Sequence, residues 1–244
     1  MTRRTFFAML APAASAAADE WAEMLGRYVN AEHLVDYAAL KAHREPLDRW
    51  AARIAEPWPA GSTDARKAGL INAYNALTIR WILDNYPVES IWRTKKPFTV
   101  ARHRVDGKLV SLDDIEGELR KMDPRIHGAL VCAGRSCPPL RREPYRADAV
   151  SGQLDDNFRA WLAMPGRNSF DAARNVARVS KIFDWYKGDF DRLGGVRAVF
   201  ARYSPQFRAG MKIEYQTYRW GLNDSSGLGA GYSEWNFLRD KVLN

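Results

Sequence analysis

Both cysteines of the chain and one of its four histidines lie within residues 125–140, which we call the central stretch. Residues 126–132 form an apolar run of strand length, and the pattern predicts a strand there. After a short loop, Pro138 suits the first position of a helix, because its missing N–H would have no partner there. Cys137 would then cap that helix, where the dipole and the free amides favour a thiolate.

The predicted chemistry is nucleophilic, with a Cys137 thiolate, His127 as its base and Asn75 as the group that orients the imidazole. Such an arrangement is typical of papain-like and transglutaminase-like enzymes, which transfer acyl groups or hydrolyse amides. Distance limits the pairing: a straight strand would put His127 about 16 Å from the end of the run. A helical segment would shorten that separation to about 7.5 Å. Otherwise His103 or His33 must supply the base, or there is none.

Two other interpretations stay open. In an exported protein, the spacing Cys-x4-Cys also predicts a structural disulfide between Cys132 and Cys137. Alternatively, the stretch belongs to a non-catalytic thiol- or peptide-binding module of the cell envelope. The candidate binding residues are Asn72, Cys132, Arg135, Ser136 and Glu116. No metal or cofactor is expected, because the histidines are scattered and neither a Gly-rich phosphate loop nor a Gly-x-Ser-x-Gly motif occurs.

The central stretch resembles the signature of the domain-of-unknown-function family 547 (DUF547), His-Phe-Ala-Leu-Asn-Cys-Ala-Ser followed by two residues and Cys-Pro. The matching positions are His127, Ala129, Leu130, Cys132, Ala133, Ser136, Cys137 and Pro138. Val131 and Gly134 replace the family's Asn and Ser, and Gly117 stands where the family commonly has His. Other matching segments are residues 35–37, 71–76, 111–116, 181–186 and 218–223. The resemblance implies the family and leaves the activity open, because the family's function is poorly defined.

The longest predicted helix carries two asparagines. Polar residues at 62–64 mark its start, and apolar residues at intervals of three and four give it one buried face up to about residue 86. Asn72 and Asn75 lie three residues apart, hence on one side of this helix. Their match to the family, inside an apolar helix, favours buried hydrogen bonds that hold a loop or orient a catalytic group.

The remaining pattern predicts a helix-rich α+β fold with a small, mostly antiparallel sheet, and a papain-like or transglutaminase-like architecture is one candidate. Residues 19–244 are expected to form a single domain. Asp106-Gly107 predicts a hairpin turn, and Ser111 with the acids after it predicts a capped helix. Further helices are predicted over residues 19–30, 44–54, 151–164 and 194–203, and further strands over residues 175–186 and 213–220.

Composition and net charge limit the classes of ligand and partner that we expect this protein to bind. The chain has 244 residues, of which 46% are hydrophobic, so it can bury a sizeable core. Its formal charge is +8, but the arginines are scattered, which favours a solvated basic surface over a nucleic-acid site. We therefore expect a small-molecule or peptide ligand, with an anionic one suiting the charge, and no nucleic acid.

Residues 1–18 predict an export signal. Arg3 and Arg4 precede two phenylalanines, as in a twin-arginine motif, and a short apolar segment leads to small residues at 14–18. The alternative is an ordinary secretion signal in which the arginines are only its positive start. Either route gives a periplasmic or secreted protein without a transmembrane segment after cleavage, because no later segment reaches about 18 apolar residues.

We predict that the mature protein begins at Ala17 or Asp19. Both positions follow a small–x–small triplet of the kind that signal peptidase accepts. The measurement is the intact mass of the secreted protein. Full-length protein confined to the cytoplasm would contradict the prediction.

Overall fold

A computed structural model of the protein describes residues 13–243, with side chains from residue 20 onward. The first twelve residues of the predicted export signal therefore lie outside the described residues. The next six are the backbone start of the first helix. Among the described residues, no helix combines the length and the apolar character that crossing a bilayer requires.

The chain is 49% helical and 10% strand, so the predicted helix-rich α+β class is confirmed. The α-helices of the described residues are α1 (Ala13–Tyr28), α2 (Tyr37–Ala42), α3 (Glu45–Ala55), α4 (Thr63–Asn85), α5 (Leu112–Met122), α6 (Val150–Leu162), α7 (Ile182–Trp185), α8 (Lys187–Phe190), α9 (Val196–Tyr203) and α10 (Glu234–Val242). Short 3₁₀-helices span Ile91–Arg93, Pro124–Gly128 and Asp191–Leu193. The strands are β1 (His103–Val105), β2 (Lys108–Val110), β3 (Ser169–Asp171), β4 (Val176–Val179) and β5 (Lys212–Tyr215).

Helix α4 runs through the protein core. Ser62 caps it by accepting a hydrogen bond from the N–H of Ala65. The ten consecutive residues 70–79 are all buried, because α2, α3, α5 and α6 pack around this helix. The apolar spacing predicted one buried face. The structure buries every face of this segment, including the small residues Ala73 and Ala76.

The strands form two small sheets. β1 and β2 are antiparallel across Asp106 and Gly107, whose φ angles of 51° and 71° suit a two-residue hairpin turn. In the other sheet β4 pairs antiparallel with β3 and parallel with β5. The predicted strand at 213–220 is longer than β5. The predicted strand at 175–186 is wrong in its second half, where Ile182–Trp185 is helix α7 and packs Ile182 and Phe183 into the core.

The central stretch is not the predicted strand. Its start is the 3₁₀-helix Pro124–Gly128, which Asp123 caps by accepting from the N–H of Arg125. Residues 129–132 have no regular structure, and the predicted helix after Pro138 is also wrong, since the chain stays irregular until α6. Buried backbone outside helices and sheets must find other hydrogen-bond partners, and here side-chain amides supply them.

Asn72 provides one such set of bonds and ties three segments together. Its Oδ1 accepts from Nε1 of Trp21 at 3.2 Å and from the N–H of Tyr145 at 2.9 Å. Its Nδ2 donates to the carbonyl of Tyr145 at 2.8 Å. The side chain thus pairs with Tyr145 as a neighbouring strand would, while it also holds α1 against α4.

We predict that Asn72→Leu lowers the free energy of unfolding by about 2–4 kcal/mol, because Trp21 and both backbone groups of Tyr145 would lose their partner. Urea denaturation measures the change. The matched control is Asn85→Leu, at the exposed last position of the same helix, where we expect a change within about 0.5 kcal/mol. Equal midpoints for the two variants would contradict the prediction.

Candidate functional site

A cavity of about 570 Å³ lies beside the central stretch. Its polar lining includes Glu116, His127 and Cys132. Aromatic rings form most of its walls, and they are Tyr74, Trp92, Phe98, Trp185, Tyr186, Tyr215, Tyr218, Trp220 and Phe237. An apolar cavity of this size with a few convergent polar groups is the usual form of a small-molecule site.

The wall is built from segments that are distant in sequence. Trp220 stacks on Phe237 with 5.3 Å between ring centroids and on Trp185 with 6.0 Å. Trp92 meets Trp220 edge-on at 5.3 Å. Such aromatic pairs are stabilised beyond their buried area, so these rings hold the cavity open as a fixed surface.

The two cysteine sulfurs meet at one side of this cavity. The Sγ atoms of Cys132 and Cys137 are 2.9 Å apart, and both residues are free thiols. Cys132 is half-buried and lines the cavity, whereas Cys137 is 1% exposed and lies behind it. The accessible sulfur is therefore that of Cys132 and not that of Cys137, the nucleophile predicted from the sequence. The reason is that no helix begins at Pro138 to carry Cys137 outward.

Several donors converge on the buried sulfur. Burial would raise the pKa of the Cys137 thiol, but donation from the Cys132 thiol, from the Tyr218 hydroxyl at 3.1 Å and from the Gly134 N–H at 3.3 Å lowers it to about 7. The pKa of Cys132 is raised well above its usual value, first because its thiol donates to Cys137 and then because it is buried. The pair therefore releases one proton near neutral pH and holds the second.

The loop between the cysteines is fixed by the segment at 219–223. The N–H of Arg135 donates to the carbonyl of Gly221 at 2.8 Å. Ser136 donates its N–H to the carbonyl of Arg219, and its Oγ accepts from the N–H of Arg219 at 2.9 Å. These two candidate binding residues hold the loop from behind and do not line the large cavity.

Asn75 holds the backbone that leads to Cys132. Its Nδ2 donates to the carbonyl of Ala129 at 3.0 Å, and its Oδ1 accepts from the N–H of Val131 at 2.9 Å. Both bonds are buried, and neither involves an imidazole. Asn75 therefore positions Cys132 through the main chain.

His127 lines the cavity within a separate network. Its ring stacks on Tyr186 with centroids 3.9 Å apart, and its Nε2 lies 2.7 Å from Oδ2 of Asp189, which Arg120 also contacts at 2.6 Å. Burial lowers the pKa of His127 from 6.5 to about 4, against the opposing effect of Asp189. Its ring makes no hydrogen bond to a sulfur in the described structure.

The other two histidines considered as bases lie elsewhere. His33 contacts the carbonyl of Leu140 through Nδ1 at 3.0 Å, and His103 is buried in strand β1. Neither lines the cavity. Within residues 13–243, no imidazole is therefore hydrogen-bonded to either cysteine sulfur.

Glu116 is a carboxyl group in the cavity wall that could act as a proton donor. Burial raises its pKa, while the Tyr186 hydroxyl, which donates to the carboxylate, lowers it. Sequence reasoning named Glu116 but missed Tyr186, Tyr218 and Asp189. The first two lie in segments that resembled the family, so that resemblance was the available signal. No sequence signal pointed to Asp189.

Part of this site lies in a segment that matches a known protein family. Residues 60–162 match the family model described as "Protein of unknown function, DUF547". This match confirms the resemblance to DUF547 over residues 60–162, which are less than half of the chain. No curated protein and no solved structure matches the chain.

The DUF547 segment contributes the reactive groups of the site. It includes α4, Glu116, His127 and both cysteines, whereas Tyr186 and Tyr218 lie beyond it. Among the described residues, no three His, Cys, Asp or Glu side chains are grouped as they would be to hold a metal ion. The titratable groups that this segment places at the cavity include Asp113, Glu116, His127 and Cys132.

We predict that His127 makes the free energy of unfolding depend on pH. Its pKa is lower in the folded protein, about 4 against 6.5, so the unfolded chain binds more protons between these values. The stabilisation is complete above pH 6.5 and is lost as the pH falls toward 4. His127→Gln should flatten this part of the curve of unfolding free energy against pH, whereas His43→Gln, at an exposed position, should not. Parallel curves for wild type and His127→Gln would contradict the assignment.

Proposed function

We propose that the cavity is a thiol-reactive binding site in which Cys132 is the nucleophile and Cys137 is its base. The supporting observation is the 2.9 Å contact between the two sulfurs, of which only Cys132 faces the cavity. This proposal moves the nucleophilic role from Cys137, which the sequence suggested, to Cys132. It also removes the need for an imidazole.

The proton transfer follows from the contacts of the pair. With the charge on Cys137, the thiol of Cys132 donates to it. When a ligand arrives, that proton moves to Cys137 and the Cys132 thiolate attacks the ligand's electrophilic atom. Tyr218 contacts both sulfurs, at 3.1 Å and 3.6 Å, so its hydroxyl can follow the charge from one to the other. A base with a pKa of about 7 is well matched to neutral pH.

The ligand is proposed to be a small molecule or a peptide side chain with an apolar, preferably aromatic, body. The aromatic walls favour such a body. Lys181 and Lys241 also line the cavity, where the ammonium group of Lys241 lies over the rings of Trp92 and Phe237. The acids Asp113, Glu116 and Glu234 line it as well. An anionic group on the ligand would find these ammonium groups, as the net charge of the chain suggested.

Acyl transfer or amide hydrolysis is a second candidate, favoured by Glu116. Its raised pKa lets it hold a proton in the cavity, and it could give that proton to a leaving group. Thiol capture without turnover needs only the cysteine pair. Thiol capture is the preferred function, because no imidazole of the described residues is hydrogen-bonded to either sulfur to act as a base.

The proposed location of this site is the periplasm or the cell exterior. The support is the N-terminal sequence alone, in which Arg3 and Arg4 precede an apolar segment and small residues. In that setting the single domain proposed over residues 19–244 would meet its ligand outside the cytoplasm.

We predict that Cys132 alkylates with iodoacetamide faster than Cys137 in the native protein. Cys132→Ser should abolish labelling on that time scale, because Cys137 is 1% exposed. Cys137→Ser should keep the accessible thiol but slow its labelling at pH 7 by about tenfold or more, because serine cannot take up the proton of Cys132 as a general base. Peptide mass spectrometry assigns the labelled cysteine.

The matched control compares two tyrosines of the cavity. Tyr218→Phe removes a donor to Cys137 and should shift the pH dependence of labelling upward, whereas Tyr215→Phe, which removes no bond to a sulfur, should not. Faster labelling of Cys137 than of Cys132 would reject the proposed roles. Identical pH dependence for the two tyrosine variants would reject the part given to Tyr218.

A further inference from the structure

We infer that the cysteine pair is redox-active and exchanges electrons with a small aromatic disulfide, or the corresponding thiols, bound in the cavity. This inference rests on the proposed thiol-reactive site and names its substrate class. It treats a Cys132–Cys137 disulfide as one state of a working pair instead of a permanent structural bond.

The geometry allows the pair to close without rebuilding the backbone. A disulfide requires the sulfurs to be about 2.05 Å apart, and they already lie at 2.9 Å. The turn between them is set by Ala133, whose φ is 61°, and by the bond from the Cys137 N–H to the carbonyl of Gly134 at 3.0 Å. The segment at 219–223 holds this turn from outside. The fold therefore already holds the two thiols close together, and little conformational entropy is lost when the disulfide forms.

The first step joins Cys132 to the ligand. The Cys132 thiolate attacks one sulfur of the ligand disulfide, a mixed disulfide forms, and the ligand's sulfur–sulfur bond breaks. The first ligand thiolate leaves and takes up a proton. That proton comes from water, and Glu116, which lines the same cavity, can relay it.

The second step uses the sulfur that the ligand cannot reach. Cys137 loses its proton, and its thiolate attacks Sγ of Cys132, which releases the second ligand thiolate and leaves the Cys132–Cys137 disulfide. The protein has given up two electrons and two protons, and the ligand disulfide has become two thiols. Run in reverse, the same steps oxidise two ligand thiols. Burial of Cys137 protects it from direct attack by the ligand.

The class of ligand follows from what surrounds Cys132. Tyr218 lies 3.6 Å from its sulfur, and Tyr218 in turn packs on Trp185 and Trp220 with centroids 5.0 Å and 4.6 Å away. Since the contact to the sulfur is made by the Tyr218 hydroxyl, a group bonded to Cys132 would extend past it into the cavity with aromatic walls. An aromatic substituent gains stacking and burial there, whereas a hydrated peptide-like substituent loses water and gains less stacking.

The experiment treats the reduced full-length chain with a dipyridyl disulfide and measures pyridinethione release and protein mass. Wild type should release two equivalents and lose two hydrogens, with no adduct. Cys137→Ser, or Cys137→Ala if the serine variant is unstable, should release one equivalent and keep a pyridyl adduct on Cys132. Cys132→Ser should release little over the same period. A wild type that stops at one equivalent with a stable adduct, or carries two adducts, would overturn the redox role.

A second comparison tests the substrate class. The rate with the dipyridyl disulfide and the rate with glutathione disulfide are each divided by the rate of the same reagent with free cysteine, which removes their intrinsic reactivities. We expect the corrected rate to be at least about tenfold higher for the aromatic reagent, the effect of about 1.4 kcal/mol. Equal corrected rates would overturn the aromatic preference.

Iodoacetamide labelling separates this inference from the proposal beneath it. If Cys132 labels rapidly but wild type never forms the internal disulfide, the thiol-reactive site stands and the redox role fails. If Cys132 does not label, both fail.

Discussion

The need to pair the backbone of a buried, irregular segment is the constraint on which this structure depends. Residues 129–145 pass through the protein core without forming a helix or a sheet, so their N–H and C=O groups need partners. Three asparagines supply them: Asn72 and Asn75 from α4, and Asn157 from α6, whose Nδ2 donates to the carbonyls of Gly128 and Pro139. The cysteines can lie side by side only because this path is held.

The same constraint explains why α4 is buried on every side. A helix that presents amides to one neighbour must still pack its other faces, and α4 does so with small residues such as Ala73 and Ala76. The result is a fixed frame behind the cavity. Rigid support of this kind keeps two sulfurs at a reactive distance without relying on a covalent bond between them.

The parts of the fold that local rules decide were predictable from the sequence. The hairpin at Asp106-Gly107 and the capping box of Ser111 and Asp114 follow from neighbouring residues, and α4 follows from its apolar spacing. The central stretch could not be predicted this way. Its conformation depends on Asn75, which is 54 residues from Ala129 in sequence, so the apolar run suggested a strand that long-range bonds prevent.

The candidate site likewise has features that were predictable from the sequence and features that were not. Its cysteines, His127 and Glu116 could be named from residue type and family resemblance, and the structure brings Glu116, His127 and Cys132 to one cavity. Which cysteine is accessible could not be read from the sequence, since it depends on the absent helix after Pro138. The distance of both sulfurs from any imidazole likewise depends on tertiary packing.

The two halves of the cavity come from different parts of the chain. The sulfurs belong to the DUF547 segment at 60–162, whereas Trp185, Tyr218, Trp220 and Phe237 come from the residues after it. In the proposed site, the sulfurs thus come from one part of the chain and six of the nine aromatic wall residues from another. Substitutions in the C-terminal walls could retune what enters the cavity while the sulfur chemistry stays intact, so proteins with the same cysteine signature need not share a ligand.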